Sequence, residues 1–321
     1  MYPQILFPLI TTFFVAVILG PIFIPFLKRL KFGQAIRAEG PQSHQKKSGT
    51  PTMGGIIFIM PALITIVVGF LFHNYFEWGY DWIMMLIALI GFGLIGFIDD
   101  FIIVVKKNND GLRPKHKVFA QFAISALIFF LFVRSGHSTE ISFFGLSLDL
   151  YWAYGIFLLF WLIGFSNATN LTDGLDGLCG GVSVVAFSVL GTVAIFQEQT
   201  AIMLFCFTMV GALCGFLVFN LNPAKVFMGD TGSLALGALI AVISILLKQE
   251  LLLLIVGFVY VIETASVIIQ VLYFKKTRKR IFKMAPLHHH FEESGWSEQK
   301  VVLMLWTLAA VSGALALWIA L

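Results

Sequence analysis

Long apolar segments alternate with short polar segments along almost the whole chain of 321 residues. A helix needs about 20 apolar residues to cross the roughly 30 Å hydrocarbon layer of a membrane. Segments of about that length recur along the chain, and we therefore predict an all-α, polytopic integral membrane protein with ten transmembrane helices. The predicted spans are residues 5–27, 53–72, 82–98, 118–133, 150–166, 178–196, 201–219, 232–247, 251–274 and 301–320.

The composition agrees with this interpretation. Hydrophobic residues make up 59% of the chain and charged residues 12%, whereas soluble domains carry about 25% charged residues. The three cysteines all lie inside apolar segments, so we expect buried thiols rather than disulfides. No internal repeat or low-complexity segment divides the chain, and residues 1–321 are interpreted as one transmembrane domain.

The distribution of basic residues predicts the orientation in the membrane. Lys and Arg accumulate on the cytoplasmic side of membrane proteins, and the loops on one side of this chain contain 19 of its 21 Lys and Arg residues. We therefore expect five cytoplasmic loops and two extracytoplasmic termini. The net charge of +4 is attributed to this asymmetry rather than to a nucleic-acid partner. The predicted cytoplasmic loops are residues 28–52, 99–117, 167–177, 220–231 and 275–300.

Carboxylates and amides cluster in these predicted cytoplasmic loops. Asp99 and Asp100 are adjacent after the third span, and the segment NATNLTDGLDGL contains Asn170, Asp173 and Asp176. A single acid at such a place is often a helix cap or a solvated helix end, but neither accounts for the whole set. Adjacent carboxylates repel each other unless a cation is near, and Mg²⁺ prefers carboxylate and phosphate oxygens. The clustering therefore predicts a magnesium site.

Three further loops add groups suited to a nucleotide and its phosphates. The segment before the eighth span contains Asn220, Phe227 and Asp230, which together suit a base and a metal ion, unless Asp230 only caps the following helix. Residues 46–55, KKSGTPTMGG, combine lysines with glycines but do not form a Walker motif. The consecutive histidines 288–290 are a weak zinc signal, because neighbours in sequence point in different directions, and they suit phosphate contacts better.

Carboxylates, amides, lysines and histidines on one membrane face are the groups that phosphoryl transfer requires. Because they border the bilayer, we expect one of the two substrates to be a lipid. The alternative from a different class is a secondary transporter, which would place its binding groups near the middle of the membrane. Glu263 is the clear mid-span acid, and we expect the ninth span to be bent or broken there, lining a groove open to the bilayer.

The chain resembles the phospho-N-acetylmuramoyl-pentapeptide transferases of bacterial cell-wall synthesis in five ordered motifs: KKSGTPTMGG, GFIDD, NATNLTDGLDGL, NPAKVFMGDTGSLALG and PLHHHFE. That family belongs to the polyprenyl-phosphate N-acetylhexosamine-1-phosphate transferase superfamily. The resemblance implies Mg²⁺-dependent transfer of phospho-N-acetylmuramoyl-pentapeptide from its UDP carrier to undecaprenyl phosphate. This reaction releases UMP and forms lipid I, the first lipid-linked precursor of peptidoglycan. A homodimer in the bacterial cell membrane, with its active site on the cytoplasmic face, is also implied.

The resemblance further implies roles for individual residues. Asp99 is the expected base toward the lipid phosphate, and Asp230 is the expected magnesium ligand. The expected catalytic residues are Asp99, Asp100, Asp230 and His289. The expected substrate-binding residues are Lys47, Thr52, Lys117, Asn170, Asp173, Asp176, Asn220, Phe227, Gln270, His288 and His290.

One position departs from the family pattern, and two alternatives stay open. Many members have a lysine three residues after the aspartate pair, where this chain has Ile103; Lys106 or Lys107 could supply the charge, or the charge is dispensable. Enzymes that transfer N-acetylglucosamine-1-phosphate share the aspartates but usually lack the unbroken PLHHHFE segment, and they are the alternative within the superfamily. The residues do not distinguish direct transfer from transfer through an aspartyl-phosphate.

Overall fold

The structure, a computed structural model, describes residues 2–29, 47, 49–106, 111–143 and 146–321, so that Lys46 and Lys107 lie outside the described residues. Helices account for nearly all the regular structure in these ranges. They are α1 Tyr2–Arg29, α2 Ile56–Phe72, α3 Tyr80–Ile87, α4 Gly93–Lys106, α5 Pro114–Arg134, α6 Ala153–Thr172, α7 Leu178–Phe196, α8 Thr200–Asn220, α9 Gly229–Leu246, α10 Leu253–Val256, α11 Phe258–Thr277, α12 Leu287–Glu292 and α13 Glu298–Ala320. A π-helical turn, Ala88–Phe92, joins α3 to α4.

Nine helices in the described part of the chain are long and apolar enough to cross a membrane, with α3, the π-helical turn and α4 forming one of them. The helix α2 is equally apolar in character but shorter, with 17 residues. The prediction of a helical, polytopic membrane protein is therefore confirmed. The count of ten spans, the single domain and the side on which the termini lie stay predictions.

The helix α9 lies at the centre of the bundle, where it packs against α4 and α6. In the apolar stretch of α9, 89% of the residues are buried inside the protein, compared with 22% in the apolar stretches of α1, α5 and α11. The outer helices instead expose apolar side chains, as expected for surfaces in contact with lipid. On α1 an exposed stripe recurs every four residues and consists of Leu6, Ile10, Phe14, Ile18, Ile22 and Phe26.

Two helices extend further into the polar segments than their hydropathy indicates. Asp99 and Asp100 lie inside α4, which continues to Lys106, and Asn170 lies inside α6, which continues to Thr172. The predicted loops 99–117 and 167–177 are therefore too long. Backbone hydrogen bonds continue a helix beyond the membrane without apolar side chains, so a hydropathy boundary is not a helix end. As a result, several acidic and amide side chains project from rigid helices.

A small antiparallel hairpin between α5 and α6 is a feature that the all-α prediction missed. Its strands are β1 Glu140–Phe143 and β2 Leu146–Asp149, with Glu140 paired to Asp149 and Ile141 paired to Leu148. The hydroxyl of Thr139 donates to the Asp149 carboxylate at 2.5 Å beside the hairpin. The hairpin occupies part of the connection between two helices and leaves the helical architecture unchanged.

The predicted ninth span is divided, but the position of the break differs from our prediction. The helices α10 and α11 meet at Gly257, whereas α11 continues without interruption through Glu263. Glu263 is fully buried, and its carboxylate contacts Nδ1 of His288 at 3.1 Å and the backbone N–H of His288 at 3.3 Å. Because a neighbouring segment supplies these partners, the helix does not need to bend at Glu263 to keep a charge out of lipid.

Candidate active site

The N-terminus of α9 is held by a carboxylate from another helix. One oxygen of Asp100 accepts hydrogen bonds from the backbone N–H of Thr231 at 3.0 Å and from its hydroxyl at 2.7 Å. The other oxygen accepts from the backbone N–H of Asp230 at 3.3 Å. The first N–H groups of a helix lack partners within the helix and lie at the positive end of its dipole. The buried carboxylate of Asp100 therefore fixes α4 against α9.

Asp230 lies in the first turn of α9 without capping it. The N-cap position is Met228, and no side chain makes a cap hydrogen bond there. Instead, one Asp230 oxygen accepts from the amide of Asn170 at 2.7 Å, and the other accepts from the ammonium of Lys117. The capping alternative is therefore wrong for Asp230. Its carboxylate points toward α5 and α6.

Lys117 connects two of the predicted acids. Its ammonium lies 3.9 Å from an oxygen of Asp99 in addition to its contact with Asp230. The other Asp99 oxygen accepts from the backbone N–H of Leu112 at 2.9 Å. The cation beside the acids thus comes from α5, which makes a lysine at position 103 unnecessary for this contact.

Close contact between α4 and α9 sets the spacing of this acidic cluster, which we define as Asp99, Asp100, Asp173 and Asp230. A Cβ atom added to Gly96 would lie only 2.0 Å from the backbone oxygen of Asp230. Any side chain at position 96 would therefore push α4 away from the N-terminus of α9. The glycine in the motif GFIDD allows Asp100 to reach the helix end.

Asp173 follows α6 and faces the same cluster. Burial, together with the negative charges of Asp230 and Asp100, raises the pKa of Asp173 to about 8, although a hydrogen bond from the backbone of Gly229 acts in the opposite direction. Like charges that lie close together in a partly desolvated site favour the binding of a cation. The cluster therefore has the electrostatic character of a cation site.

The cluster offers few ligands for a metal ion. In the described ranges, no group of three or more His, Cys, Asp or Glu side chains is arranged to hold a metal. Asp230 and Asp99 nevertheless place carboxylate oxygens on either side of one position, which the Lys117 ammonium occupies. This donor set fits Mg²⁺, which is commonly held by one or two carboxylates together with substrate phosphates and water.

A second cluster, the lysine cluster, surrounds Lys47. Its ammonium donates to Asp176 at 2.7 Å and to Glu298 at 2.5 Å. The side chain of Asn222 donates to both carboxylates, at 3.1 Å to Asp176 and 3.0 Å to Glu298. Sequence reasoning missed Glu298, which lies outside the five motifs, and it assigned no role to Asn222, although Asn222 is the first residue of NPAKVFMGDTGSLALG. The lysine cluster thus joins four separate segments of the chain.

The segments that carry Thr52 and Phe227 lie side by side. The backbone N–H of Phe227 donates to Pro51 at 2.8 Å, and the N–H of Gly54 donates back to Phe227 at 2.8 Å. Asn220 is buried, and its side-chain amide donates to the backbone carbonyl of Val226 at 2.9 Å. It also accepts from the backbone of Gly177 at 3.0 Å. The amide of Asn220 therefore stabilises the turn, and its predicted contact with a nucleotide stays a prediction.

The three consecutive histidines have three different partners. His288 is buried against Glu263, and a Cβ atom at Gly174 would lie 2.2 Å from its Nε2. His289 Nδ1 lies 2.9 Å from Glu292, and His290 Nδ1 accepts from the backbone N–H of Lys283 at 3.1 Å. The rings therefore do not converge on one metal ion, as their spacing predicted. His288 instead contacts the turn that carries Asp173 and Asp176.

Gln270 lies in the C-terminal half of α11. Its side-chain oxygen accepts from the backbone N–H groups of Ile281 and Phe282, each at 3.0 Å, and its amide donates to Phe282 at 3.3 Å. These bonds hold the turn that follows α11. The substrate contact predicted for Gln270 stays a prediction.

Comparison with known proteins places this site in a family. The family model described as glycosyl transferase family 4 matches residues 82–248, and the phospho-N-acetylmuramoyl-pentapeptide-transferase signature 1 matches residues 47–59. Curated proteins named phospho-N-acetylmuramoyl-pentapeptide-transferase are similar over nearly the whole chain. The protein of Staphylococcus saprophyticus is 57% identical over 94% of this chain and 95% of its own length. That of Bacillus cytotoxicus is 53% identical, over 96% of this chain and 95% of its own length.

The chain belongs to the phospho-N-acetylmuramoyl-pentapeptide-transferase family. The resemblance identified from the five motifs is thereby confirmed. The signature segment begins at Lys47 of the lysine cluster and includes Thr52. The larger match covers all four residues of the acidic cluster, together with Lys117 and Asn170.

Proposed function

We propose that this protein transfers phospho-N-acetylmuramoyl-pentapeptide from its UDP carrier to undecaprenyl phosphate, releasing UMP and forming lipid I. The names of relatives more than half identical to the chain support this function. The observation that carries it is the acidic cluster around the N-terminus of α9, with Lys117 bridging Asp99 and Asp230. Groups of this kind stabilise the charge that is redistributed when a phosphoryl group changes partners.

The surroundings of Asp99 suit a lipid-borne acceptor. On α4 the apolar side chains of Phe97, Ile98 and Phe101, which are close to Asp99 in sequence, are exposed. At the start of α5, the helix that also carries Lys117, a wide-open hollow of about 500 Å³ is lined mainly by apolar side chains. The hollow is lined by Pro114, Lys115, Val118, Phe119 and Phe122. A polyprenyl chain in the bilayer can lie against these surfaces while its phosphate meets Asp99 and Lys117.

The net reaction exchanges one phosphoanhydride bond for another. An oxygen of the lipid phosphate forms a bond to the sugar-linked phosphorus, the bond between that phosphorus and the UMP oxygen breaks, and UMP carries away the electron pair. Lys117 binds and orients the phosphate oxygens, and Asp99 accepts the proton of a monoprotonated lipid phosphate or positions its oxygen. Asp100 holds the backbone at the start of α9 through its oxygens, and its predicted catalytic role stays a prediction.

We propose Mg²⁺ as the cofactor, with Asp230 as the protein group that would hold it and Asp99 nearby on the other side of Lys117. When bound, Mg²⁺ supplies positive charge that stabilises the phosphate oxygens. The donor set supports this assignment, since both carboxylates already face a single cationic group. Asn170 keeps Asp230 oriented from the other side at 2.7 Å.

The membrane orientation and assembly belong to the same proposal. The basic residues that flank the candidate site favour the cytoplasmic face of the bacterial cell membrane. The homodimer that the family resemblance implies remains a prediction, which chemical cross-linking in membranes would test. The acidic cluster and its partners Lys117 and Asn170 lie at the end of the bundle where α9 begins.

The decisive experiment measures UMP release by the purified full-length protein in detergent. Undecaprenyl phosphate and Mg²⁺ are supplied with either UDP-N-acetylmuramoyl-pentapeptide or UDP-N-acetylglucosamine. We expect release with the first nucleotide and loss of release when EDTA removes the metal. Release with UDP-N-acetylglucosamine alone would instead support the alternative N-acetylglucosamine-1-phosphate transferase.

A further inference from the structure

The first turn of α13 organises the lysine cluster through one side chain. One oxygen of Glu298 accepts from the Lys47 ammonium at 2.5 Å and from the backbone N–H of Asp176 at 2.8 Å. Its other oxygen accepts from the amide of Asn222 at 3.0 Å. A single carboxylate thus touches the signature segment, the turn after α6 and the loop after α8. None of these segments is adjacent to α13 in sequence.

Asp176 completes the arrangement from the opposite side of Lys47. One of its oxygens accepts from Lys47 at 2.7 Å, and the other accepts from Asn222 and from the backbone N–H of Ala224 at 3.0 Å. The Asp176 side chain is 2% exposed, whereas those of Lys47 and Glu298 are 19% and 14% exposed. The acid that holds the turn is therefore buried, and the ammonium and Glu298 lie at the edge of the site.

The Lys47 ammonium has two carboxylate partners, although one would be enough to balance its charge. The second carboxylate therefore indicates that the position of the Lys47 side chain is being fixed. A lysine side chain has large rotational freedom, and a group that binds substrate is more effective when that freedom is removed beforehand. Glu298 and Asp176 together restrict Lys47 from two sides. Asn222 in turn restricts both carboxylates, and its own oxygen accepts from Gln299 at 3.1 Å.

We infer that Glu298 is a positioning residue for the UDP-linked substrate, acting through Lys47 and through the turn that carries Asp176. The inference rests on the proposed function, which supplies the substrate. Glu298 contributes to binding of the nucleotide substrate and leaves the lipid phosphate unaffected, because its contacts are made with the lysine cluster and not with Asp99 or Lys117. A purely structural role would instead lower the amount of folded protein and affect both substrates equally.

Steady-state kinetics of Glu298→Gln test this inference. The amide keeps the size of the side chain but removes its charge and turns one acceptor into a donor. We expect KM for UDP-N-acetylmuramoyl-pentapeptide to rise about tenfold, as is typical when a hydrogen bond to a charged group is lost. KM for undecaprenyl phosphate and kcat should change less than twofold. Glu298→Asp, which keeps the charge with a shorter reach, should fall between Glu298→Gln and the wild type.

A matched control is Glu293→Gln, which changes an exposed acid between α12 and α13 and should leave both KM values unchanged. A double-mutant cycle adds a second criterion: because Glu298 acts partly through Lys47, Lys47→Met combined with Glu298→Gln should lose less nucleotide affinity than the two single variants lose together. A lower KM in Glu298→Gln would show that Glu298 competes with the substrate for Lys47 and would overturn the inference. Strictly additive effects in the cycle, or equal changes for both substrates, would also overturn it.

Direct binding separates this inference from the proposed function. Calorimetric titration of UMP into the purified full-length protein requires no turnover, and Glu298→Gln should weaken UMP binding about tenfold relative to Glu293→Gln. If the wild type releases no UMP from either nucleotide but the variants differ in UMP affinity as expected, the proposed reaction fails and the positioning role stands. If turnover is normal and UMP affinity is the same in both variants, the positioning role fails.

Discussion

The two ends of α9 both carry contacts between a lysine and carboxylates, but their charge balance differs. Beyond the C-terminal end, Lys248 donates to Glu250 at 2.8 Å, and the hydroxyl of Tyr154 donates to the same oxygen at 2.5 Å. The Lys248 ammonium also lies 4.7 Å from the centre of the Tyr154 ring and donates to the backbone of Ser138 at 3.0 Å. One cation there serves one carboxylate, and Glu250 is fully buried.

At the N-terminal end, one lysine faces several acids. Lys117 contacts Asp99 and Asp230, while Asp100 and Asp173 lie near enough to Asp230 for their charges to interact. A buried ion pair with matched charges can hold a scaffold together, whereas unbalanced negative charge is costly unless a ligand compensates for it. The difference indicates that the C-terminal contact serves stability and that the N-terminal cluster serves binding and catalysis.

The largest expected effect comes from Asp230→Asn. The amide keeps the size of the side chain but removes the negative charge that pairs with Lys117 and would hold Mg²⁺. Turnover should therefore fall by roughly 10²–10³-fold, which is the effect of removing a group that stabilises the transition state. The dependence of the remaining rate on Mg²⁺ concentration should also weaken. Initial rates of UMP release across a magnesium titration measure both. Near-normal activity would refute the assignment of Asp230, and Glu250→Gln is the matched control at the other end of α9.

A smaller effect that depends on pH is expected for Asp99→Asn. A phosphate monoester loses its second proton near pH 6, so a base is needed most where the lipid phosphate still carries that proton. General-base catalysis contributes roughly 10²-fold or more, and the effect should stay at this low end because the lipid phosphate is mostly deprotonated above pH 6. The defect should therefore shrink as the pH rises from 6 to 9. The ratio of wild-type to variant rates across this range is the measurement. A ratio that stays constant would leave Asp99 as a positioning residue.

At the balanced end, Lys248→Met should affect stability without affecting catalysis. The Glu250 carboxylate would remain buried with Tyr154 as a donor, and losing a hydrogen bond to a charged group costs about 1.5–3 kcal/mol. Unfolding by denaturant in detergent micelles should show this loss, while KM and kcat per folded molecule stay at wild-type values. A change in either KM would mean that the two ends of α9 are coupled and that the comparison is too simple.

The smallest effect concerns Asp173 and the pH dependence of stability without metal. The pKa of Asp173 is raised to about 8, whereas an aspartate in an unfolded chain has a pKa of about 3.9. Between these values the folded protein binds more protons than the unfolded chain, so this group makes stability decline as pH rises from about 4 to about 8. In EDTA, Tm should fall less in Asp173→Asn than in the wild type between pH 6 and 8. An equal fall in Tm for the variant and the wild type would show that ionisation of Asp173 does not destabilise the folded protein.

Several features of the site could be predicted from the sequence. Asp99, Asp100, Asn170, Asp173 and Asp230 stand out because polar groups at the ends of apolar helices need a reason to be there. Their order in five motifs identified the family before any contact was known. The role of Asp100 in holding α9, the bridging position of Lys117 and the contact of Glu263 with His288 could not be predicted, because each depends on how separate helices pack.

The sequence by itself determined the membrane-spanning character, the approximate spans and the reaction class, since hydropathy and motifs are local properties of the chain. The tertiary structure decided the helix ends, the hairpin, the break at Gly257 and the partner of each charged group. Lys47 and Glu298 meet although 251 positions separate them. A hydrogen bond of that kind is specified by how separate helices pack against one another, and no pattern along a single segment contains that information.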